Sequence, residues 1–349
     1  MENWIDELFS EELLETAAKR FGCESSQAKK LGDFENYVYE VHKEGVPYIL
    51  RLTHSSHRSA KEVEAELRWV NYLHENGVNV SLVNDSLDGK LVEVLKAGET
   101  FFYVCLFDKA PGKPVGINDP LFDDSLFRKW GRVTGKMHRV TKQYEASEYI
   151  RGRWDEDDVL QYAKYLPSHD SIILGKAEEN KKGLQALEET PENFGVIHSD
   201  IHPGNFFYHE GEIHVFDFDD SMQFFFLSDI AIPLYYSVWW KYRKDSLETR
   251  SEFGEAFLTA FLSGYLEESP LEEEWIEHLP AFLSLRDFTL YTVFHKKWDV
   301  KHLSQVEEEL LTGIRNRLLN DEPIVEIDFK AMLKKARGQV KIADNQAKR

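Results

Sequence analysis

Six residues divide this sequence into two kinds of chain. Lys109-Ala-Pro-Gly-Lys-Pro114 holds two prolines and a glycine, residues that interrupt helices and strands alike. Before it, the pattern is that of strands. Residues 34–42 and 46–52 are rich in aromatic and branched side chains around Lys43-Glu44-Gly45, the signature of a hairpin. Residues 78–83 and 91–95 read as short strands about Asp88-Gly89, and 101–107 as a buried strand. Two helices are predicted in this half. One covers 4–22 with an acidic outer face; the other covers 59–76, with Val63, Leu67, Val70 and Leu73 at helical spacing and Gly77 as its stop. After the break the chain turns helical, over 121–148, 155–166, 172–188 and again from 226 to about 319. Strand-like segments return only at 195–198 and 213–218. The expected organisation is a strand-rich lobe over 1–108, a larger helical lobe over 109–329 and a tail over 330–349. The tail carries basic residues at 330, 334, 335, 337, 341, 348 and 349 and reads as a helix with a frayed end. A cleft between two such lobes is a natural ligand site.

Composition narrows the classes of function. A chain of 349 residues suggests two compact units, and 42% hydrophobic with 13% aromatic residues excludes a disordered chain. Lys and Arg total 42 against 62 Asp and Glu, a net charge of −20. That balance argues against nucleic acid or an anionic membrane as the main partner and is compatible with a cationic ligand. Cys23 and Cys105 are too few for a thiolate metal site or a disulfide framework. The acidic start, Met1-Glu-Asn-Trp-Ile-Asp-Glu, lacks the pattern of a signal peptide, and the apolar stretch 231–240 is too short to span a bilayer. A cytoplasmic setting is expected.

The chemistry concentrates in one segment, Val196-Ile-His198-Ser-Asp200-Ile-His202-Pro-Gly-Asn205, followed by Ile213-His-Val-Phe-Asp217-Phe-Asp219-Asp220. Two apolar strands each end in carboxylates, with a Pro-Gly loop between them. Asp200, Asn205 and Asp217 are hard oxygen donors of the kind Mg²⁺ accepts. A carboxylate at a strand end can also accept a hydroxyl proton. Phosphoryl transfer needs such a set, one Asp to orient the nucleophile and an Asn and an Asp to hold metal against phosphates.

His198-x-Asp200-x-x-x-x-Asn205 followed by Phe216-Asp217-Phe218 resembles the catalytic and metal-binding motifs of the aminoglycoside phosphotransferase and choline kinase superfamily. The resemblance covers about residues 28–300. It implies an α+β, two-lobed protein-kinase-like fold, with an antiparallel sheet and one helix in the small lobe and a mostly helical large lobe. It also implies a kinase that moves the γ-phosphoryl of ATP or GTP, with Mg²⁺, to an alcohol group of a small molecule. Amino-alcohols, aminoglycosides and sugars are the acceptors to expect, and a cationic acceptor among them. By the same resemblance Asp200 is the catalytic Asp, Asn205 and Asp217 are metal ligands, and His198 and Asp229 support the loop. Gly32 and Asn36, in Leu31-Gly-Asp-Phe-Glu-Asn36, resemble the loop over the phosphates, although either residue also suits an ordinary turn. Arg51 stands where the family usually has a phosphate-binding Lys. Its acidic partner is expected on the next helix, where Glu66 is best placed because Val70 and Leu73 follow at +4 and +7. Asp108 and Ala110 resemble the hinge that holds adenine through backbone groups.

Other readings stay open at this point. His198, Asp200 and His202 could bind zinc. Phe216-Asp217-Phe-Asp219 faintly resembles the nucleophile loop of haloacid-type phosphatases. A stress-response protein Ser/Thr kinase, or a kinase-like protein that binds nucleotide without turnover, would share the same motifs. Asp219 and Asp220 could tune the metal site or cap the next segment. Glu267, Glu268 and Glu272 to Glu274 could line a pocket for a polycation or form solvated helix faces.

Overall fold

A two-residue turn joins two neighbouring strands of the first sheet. Glu44 and Gly45 both have positive φ, at 52° and 80°, the backbone that matches the twist of two antiparallel strands. In the computed structural model, which describes residues 3–145 and 151–347 and the side chains of 4–145 and 151–342, they join β2 (Tyr37–Lys43) to β3 (Val46–His54) with Lys43 opposite Val46. Short α1 (Asn3–Asp6) and α2 (Glu11–Arg20) precede β1 (Glu24–Gly32), and α3 (Ala60–Glu75), β4 (Val83–Asn84), β5 (Glu93–Ala97) and β6 (Thr100–Asp108) follow. The sheet runs β1-β2-β3-β6-β4 with β5 also on β6, antiparallel throughout. Leu14, Ala17 and Ala18 of α2 pack on Val41, Leu52, Phe102 and Val104 to form its core.

The helix expected over 4–22 is in fact two. Ser10 is extended, and its hydroxyl accepts from Leu13 N at 3.1 Å, so a new helix is capped where the old one should have continued. The strand β1 has no alternating burial to betray it. Ser59 and Glu62 form a capping box that starts α3, whose Val63, Leu67, Val70 and Leu73 are buried as the spacing predicts.

Beyond the break come α4 (Asp124–Thr141), a one-turn α5 (Tyr162–Tyr165), α6 (Ser171–Gln185) and β7 (Phe194–Ile197). The end of the predicted helix 121–148 lies partly outside the described residues. The predicted helix 155–166 is instead two single 3₁₀ turns and α5. Extended Asp157, whose side chain accepts from Val159 N, interrupts it. The chain then forms the hairpin β8 (Phe206–His209) and β9 (Glu212–Val215), β10 (Met222–Phe225), α7 (Ser228–Tyr242), α8 (Leu247–Tyr265), α9 (Glu273–Ile276), α10 (Leu279–Lys297), α11 (Gln305–Asn320) and α12 (Phe329–Ala347). No helix among the described residues is long and apolar enough to cross a membrane.

Two units result. The first comprises Met1–Lys113, Gln143–Arg151 and Phe206–Asp219; the second comprises Pro114–Lys142, Gly152–Asn205 and Asp220–Arg349. The hairpin β8–β9 therefore joins the first unit, through bridges from Val215 to Val80 and from Tyr208 to Lys113. Gly112 makes the second approach possible. Its φ is +96°, and a Cβ there would lie 2.3 Å from the Tyr208 carbonyl oxygen. In the second unit β7 pairs antiparallel with β10, and α4 crosses α8 at backbone contact. The predicted tail helix is α12. Its Leu333 and Ala336 are fully buried, and Thr259 Oγ1 of α8 lies 3.2 Å from Met332 Sδ.

Candidate active site

The loop after β7 is shaped by a buried carboxylate. Asp229, in the first turn of α7, accepts from His198 N at 2.9 Å and Ser199 N at 2.8 Å. Ser199 adopts φ +69°, a left-handed conformation those bonds help to hold. His138 of α4 supports Asp229 at 3.4 Å and reaches Tyr265 Oη at 2.9 Å. Burial lowers the His138 pKa, so its ring is neutral. Asp229 thus holds the loop by its backbone, and Asp200 N donates to His198 Nδ1 at 3.3 Å.

Asp200 projects from this loop and is held on both oxygens. Oδ1 accepts from Arg286 Nη2 at 2.9 Å; Oδ2 lies 3.2 Å from Asn205 Nδ2 and 3.2 Å from His202 Nε2. Gly204 N donates to His202 Nδ1 at 2.9 Å, which makes Nε2 the protonated nitrogen that donates to Asp200. A Cβ at Gly204 would stand 2.6 Å from the imidazole, so a larger residue there would displace the His202 ring. Burial alone would raise the Asp200 pKa, but the His202 bond and the Arg286 charge carry it below the ordinary aspartate value. Asn205 Nδ2 also donates to the Asp200 carbonyl at 2.9 Å. The amide is thereby oriented by its nitrogen, leaving Oδ1 as the oxygen for a cation.

Arg286 comes from α10 and is itself braced. It hydrogen-bonds Tyr236 Oη of α7, and its Cζ lies 4.7 Å from the centre of the Tyr236 ring. Tyr236 stacks on Trp240 at 4.8 Å, and His202 meets both rings edge-on. Burial pushes the Tyr236 hydroxyl up to about 12.

The first unit carries a second constellation. Arg51 of β3 and Glu66 of α3 form a two-bonded pair, Nη1 to Oε1 at 2.8 Å and Nη2 to Oε2 at 2.7 Å, with side chains 5% and 0% exposed. Glu62 is spent on the capping box and Glu64 pairs with Arg68, so among these acids Glu66 is the partner of Arg51. Phe107 lies 5.2 Å from the guanidinium, and burial pushes the neighbouring Cys105 thiol up to about 12. Gly32 ends β1 in open space. Asn36 is buried with its Oδ1 unpartnered. Asp108 ends β6, with its N–H on the Leu82 carbonyl at 2.8 Å and its Oδ1 accepting from Asn84 at 2.8 Å; half-buried Ala110 follows outside any element.

Asp217 is exposed at φ +63°. Asp219 is buried instead. His57 Nε2 lies 2.9 Å from its carboxylate, and Arg58 and Arg151 donate to its carbonyl. Burial would raise its pKa, but the His57 bond and the Arg51 and Arg58 charges hold it well below the usual range. His57 also approaches Glu35 at 3.3 Å. Asp219 is therefore the anchor of an ionic cluster, not a cap.

Asn205 Oδ1 and the Asp217 carboxylate are each hard oxygens of the kind Mg²⁺ accepts. Zinc is not favoured. Among the described residues no three His, Cys, Asp or Glu side chains gather as a metal group, and His202 uses its Nε2 as a donor. Several acids that could have lined a cationic pocket are occupied. Glu267 pairs with Arg128, Glu268 with Arg132 and Arg139, and Glu273 with Arg337. Sequence reasoning missed Arg286, Tyr236, His57, Arg58 and Arg151. The one available signal was Arg286-Asp287 inside an otherwise apolar stretch of α10.

Three comparisons with known proteins place the chain in a family. The model of the phosphotransferase enzyme family matches residues 28–277. Amicoumacin kinase of Bacillus subtilis (strain 168) is 37% identical over 333 residues, 94% of this chain and 98% of its own. The solved structure of amicoumacin kinase hAmiN, in complex with AMP-PNP, Ca²⁺ and Ami, has a TM-score of 0.90 at 34% identity and covers 95% of this chain and 100% of that one. A microcompartment-associated aminopropanol kinase shares the fold at a TM-score of 0.70 and 19% identity, over 90% of this chain and 98% of that one.

Proposed function

This chain belongs to the phosphotransferase enzyme family, and from that premise we propose that it transfers the γ-phosphoryl group of ATP to a hydroxyl of a small molecule of the amicoumacin class. The observation that carries the reading is Asp200, an ionised carboxylate tied at both oxygens beside Asn205. Two amicoumacin kinases that match almost the whole chain support the substrate class, and the AMP-PNP in one of them supports the adenine donor.

Asp200 orients the acceptor hydroxyl and takes its proton as the new O–P bond forms and the bridging bond from the γ-phosphorus to ADP breaks. Transfer is direct and in line, with no phospho-enzyme. Asn205 and Asp217 supply oxygen ligands for Mg²⁺, which when bound neutralises phosphate charge. Arg51, held in a two-bonded pair by Glu66, would supply positive charge for the phosphates in place of the usual lysine. Gly32 and Asn36 lie in the loop over them, with the unpartnered Asn36 Oδ1 available to a hydroxyl or a bound water. Backbone groups at Asp108 and Ala110 meet the base. Positioning and charge neutralisation account for most of the acceleration.

The test is an acceptor panel. Purified protein with Mg·ATP or Mg·GTP is offered amicoumacin, spectinomycin, aminopropanol, choline and a generic protein, and the phosphorylated product is identified by mass. Amicoumacin with ATP should give the highest kcat/KM. Phosphorylation of the protein alone would move the chain to the protein-kinase reading. Nucleotide-dependent melting without any product would make it a binding protein.

A further inference from the structure

The roles assigned so far leave Arg286 unexplained. An arginine on α10 is an expensive thing to place there. Its side chain is 18% exposed, its Nε is buried without a hydrogen-bond partner, and it lies within a helix whose neighbours Leu283, Leu285, Asp287 and Phe288 are buried. Burying a guanidinium costs free energy that its partners must offset. A residue that breaks the packing rule without a structural reward is the kind found at functional sites.

Its partners are informative. Asn205 and His202 hold Asp200 Oδ2, and both lie on the loop that carries Asp200 itself. A loop that grips its own carboxylate fixes it only relative to the loop. Arg286 grips the other oxygen, Oδ1, from a separate helix, and Tyr236 of α7 holds Arg286 by hydrogen bond and by ring stacking. The carboxylate is thus clamped between the loop and two rigid helices, an arrangement that removes its rotation about χ2.

We propose that Arg286 is a positioning residue for the reaction: braced by Tyr236, its guanidinium fixes the plane of the Asp200 carboxylate so that a lone pair faces the acceptor hydroxyl. This rests on the catalytic role given to Asp200 above. Arg286 acts through Asp200, so its loss should slow the chemical step and leave the binding of both substrates in place. Tyr236 acts through Arg286, so the two should not behave independently.

The experiment compares wild type with Arg286→Ala, Arg286→Lys, Tyr236→Phe and the double variant Arg286→Lys/Tyr236→Phe. Acceptor phosphorylation and basal Mg·ATP hydrolysis are both measured, along with the melting temperature. Arg286→Ala should lose about 10²-fold in kcat, the penalty of a misaligned catalytic group, with both KM values within about twofold of wild type. Arg286→Lys keeps the charge but not the planar fork and should fall between the two. Guanidinium ion at non-denaturing concentration should restore Arg286→Ala by about tenfold, a substantial part of the lost positioning, and should do nothing for Asp200→Asn. The double variant should lose less than the product of the single losses. A raised acceptor KM at unchanged kcat would make Arg286 an acceptor contact and overturn the proposal. So would unaltered kinetics, or a lower melting temperature with no rescue by guanidinium. If no acceptor on the panel is used but ATP hydrolysis shows the same loss and rescue, the acceptor assignment fails and the role of Arg286 stands. A wild type with neither turnover overturns both.

Discussion

At the scale of single residues, the two charged constellations call for opposite kinds of test. Asp200 is partly exposed and the loop backbone is held separately by Asp229, so Asp200→Asn should keep the loop folded. The amide cannot accept the hydroxyl proton, and kcat should fall by about 10²–10⁴-fold, the usual worth of a positioned general base. ATP affinity, followed by fluorescence or calorimetry, should stay near wild type. Asp217→Ala should instead weaken Mg·ATP binding itself. Retention of full activity by Asp200→Asn would remove the basis of the assignment. Glu66 is different because it is fully buried against Arg51. Glu66→Ala leaves a buried guanidinium unpaired and should cost about 3–5 kcal/mol in denaturant unfolding. Glu64→Ala, which breaks the exposed pair with Arg68, should cost no more than about 1 kcal/mol. Equal losses for the two variants would show that the buried pair carries no special weight.

At the scale of elements, α4 and α8 cross at close backbone approach. A Cβ at Gly131 would lie 1.8 Å from the Phe261 carbonyl oxygen, and one at Gly264 would lie 1.8 Å from that of Arg128. Gly131→Ala and Gly264→Ala must force the helices apart, and each should lower stability by at least about 1–3 kcal/mol, the ordinary cost of overpacking. Gly313 lies exposed in α11 with nothing within 4 Å of its would-be Cβ. Gly313→Ala should stabilise by about 0.5–1 kcal/mol through helix propensity. Paired thermal melts decide both signs. The glycines on α4 and α8 look alike in sequence to any helical glycine, and only the crossing separates them. The same limit governs what could be read elsewhere. Asp200, Asn205 and Asp217 could be singled out as candidates because one short segment carries them and a Pro-Gly turn marks it. The antiparallel sheet was legible where burial alternates, as in β2, and hidden where it does not, as in β1. The split of α1 from α2 depended on one serine hydroxyl, and a serine before two acids also suits a helix face. Arg286 was out of reach because its partner lies 86 residues away and no local pattern links them.

At the scale of the whole molecule, the balance of −20 says little about stability at acid pH; a few buried groups decide it, in two separate windows. His138 is neutral in the fold because burial lowers its pKa, and burial acts likewise on His214 and His295. The unfolded chain can protonate these rings below about 6.5 while the fold resists, so stability should begin to fall as pH drops through that value. Carboxylates open the second window. Asp170, 1% exposed, accepts from Arg315 Nε at 3.0 Å and Nη2 at 2.6 Å, and from Tyr291. Burial would raise its pKa, but the Arg315 and Tyr291 bonds hold it below the ordinary value. Its contribution is therefore fully present above the unfolded aspartate value of about 3.9 and is lost as pH falls through the lower folded one. Asp170→Asn removes that contribution at every pH where the charge exists. The melting temperatures of wild type and Asp170→Asn should stay apart from pH 8 down to about 5, with the gap altered in the histidine window only by the action of the Asp170 charge on nearby His295, and should converge below about 4. A gap that stays constant down to pH 3 would mean that Asp170 stabilises the fold by shape and hydrogen bonding alone. A gap that closes between pH 7 and 6 would assign its worth to a histidine instead.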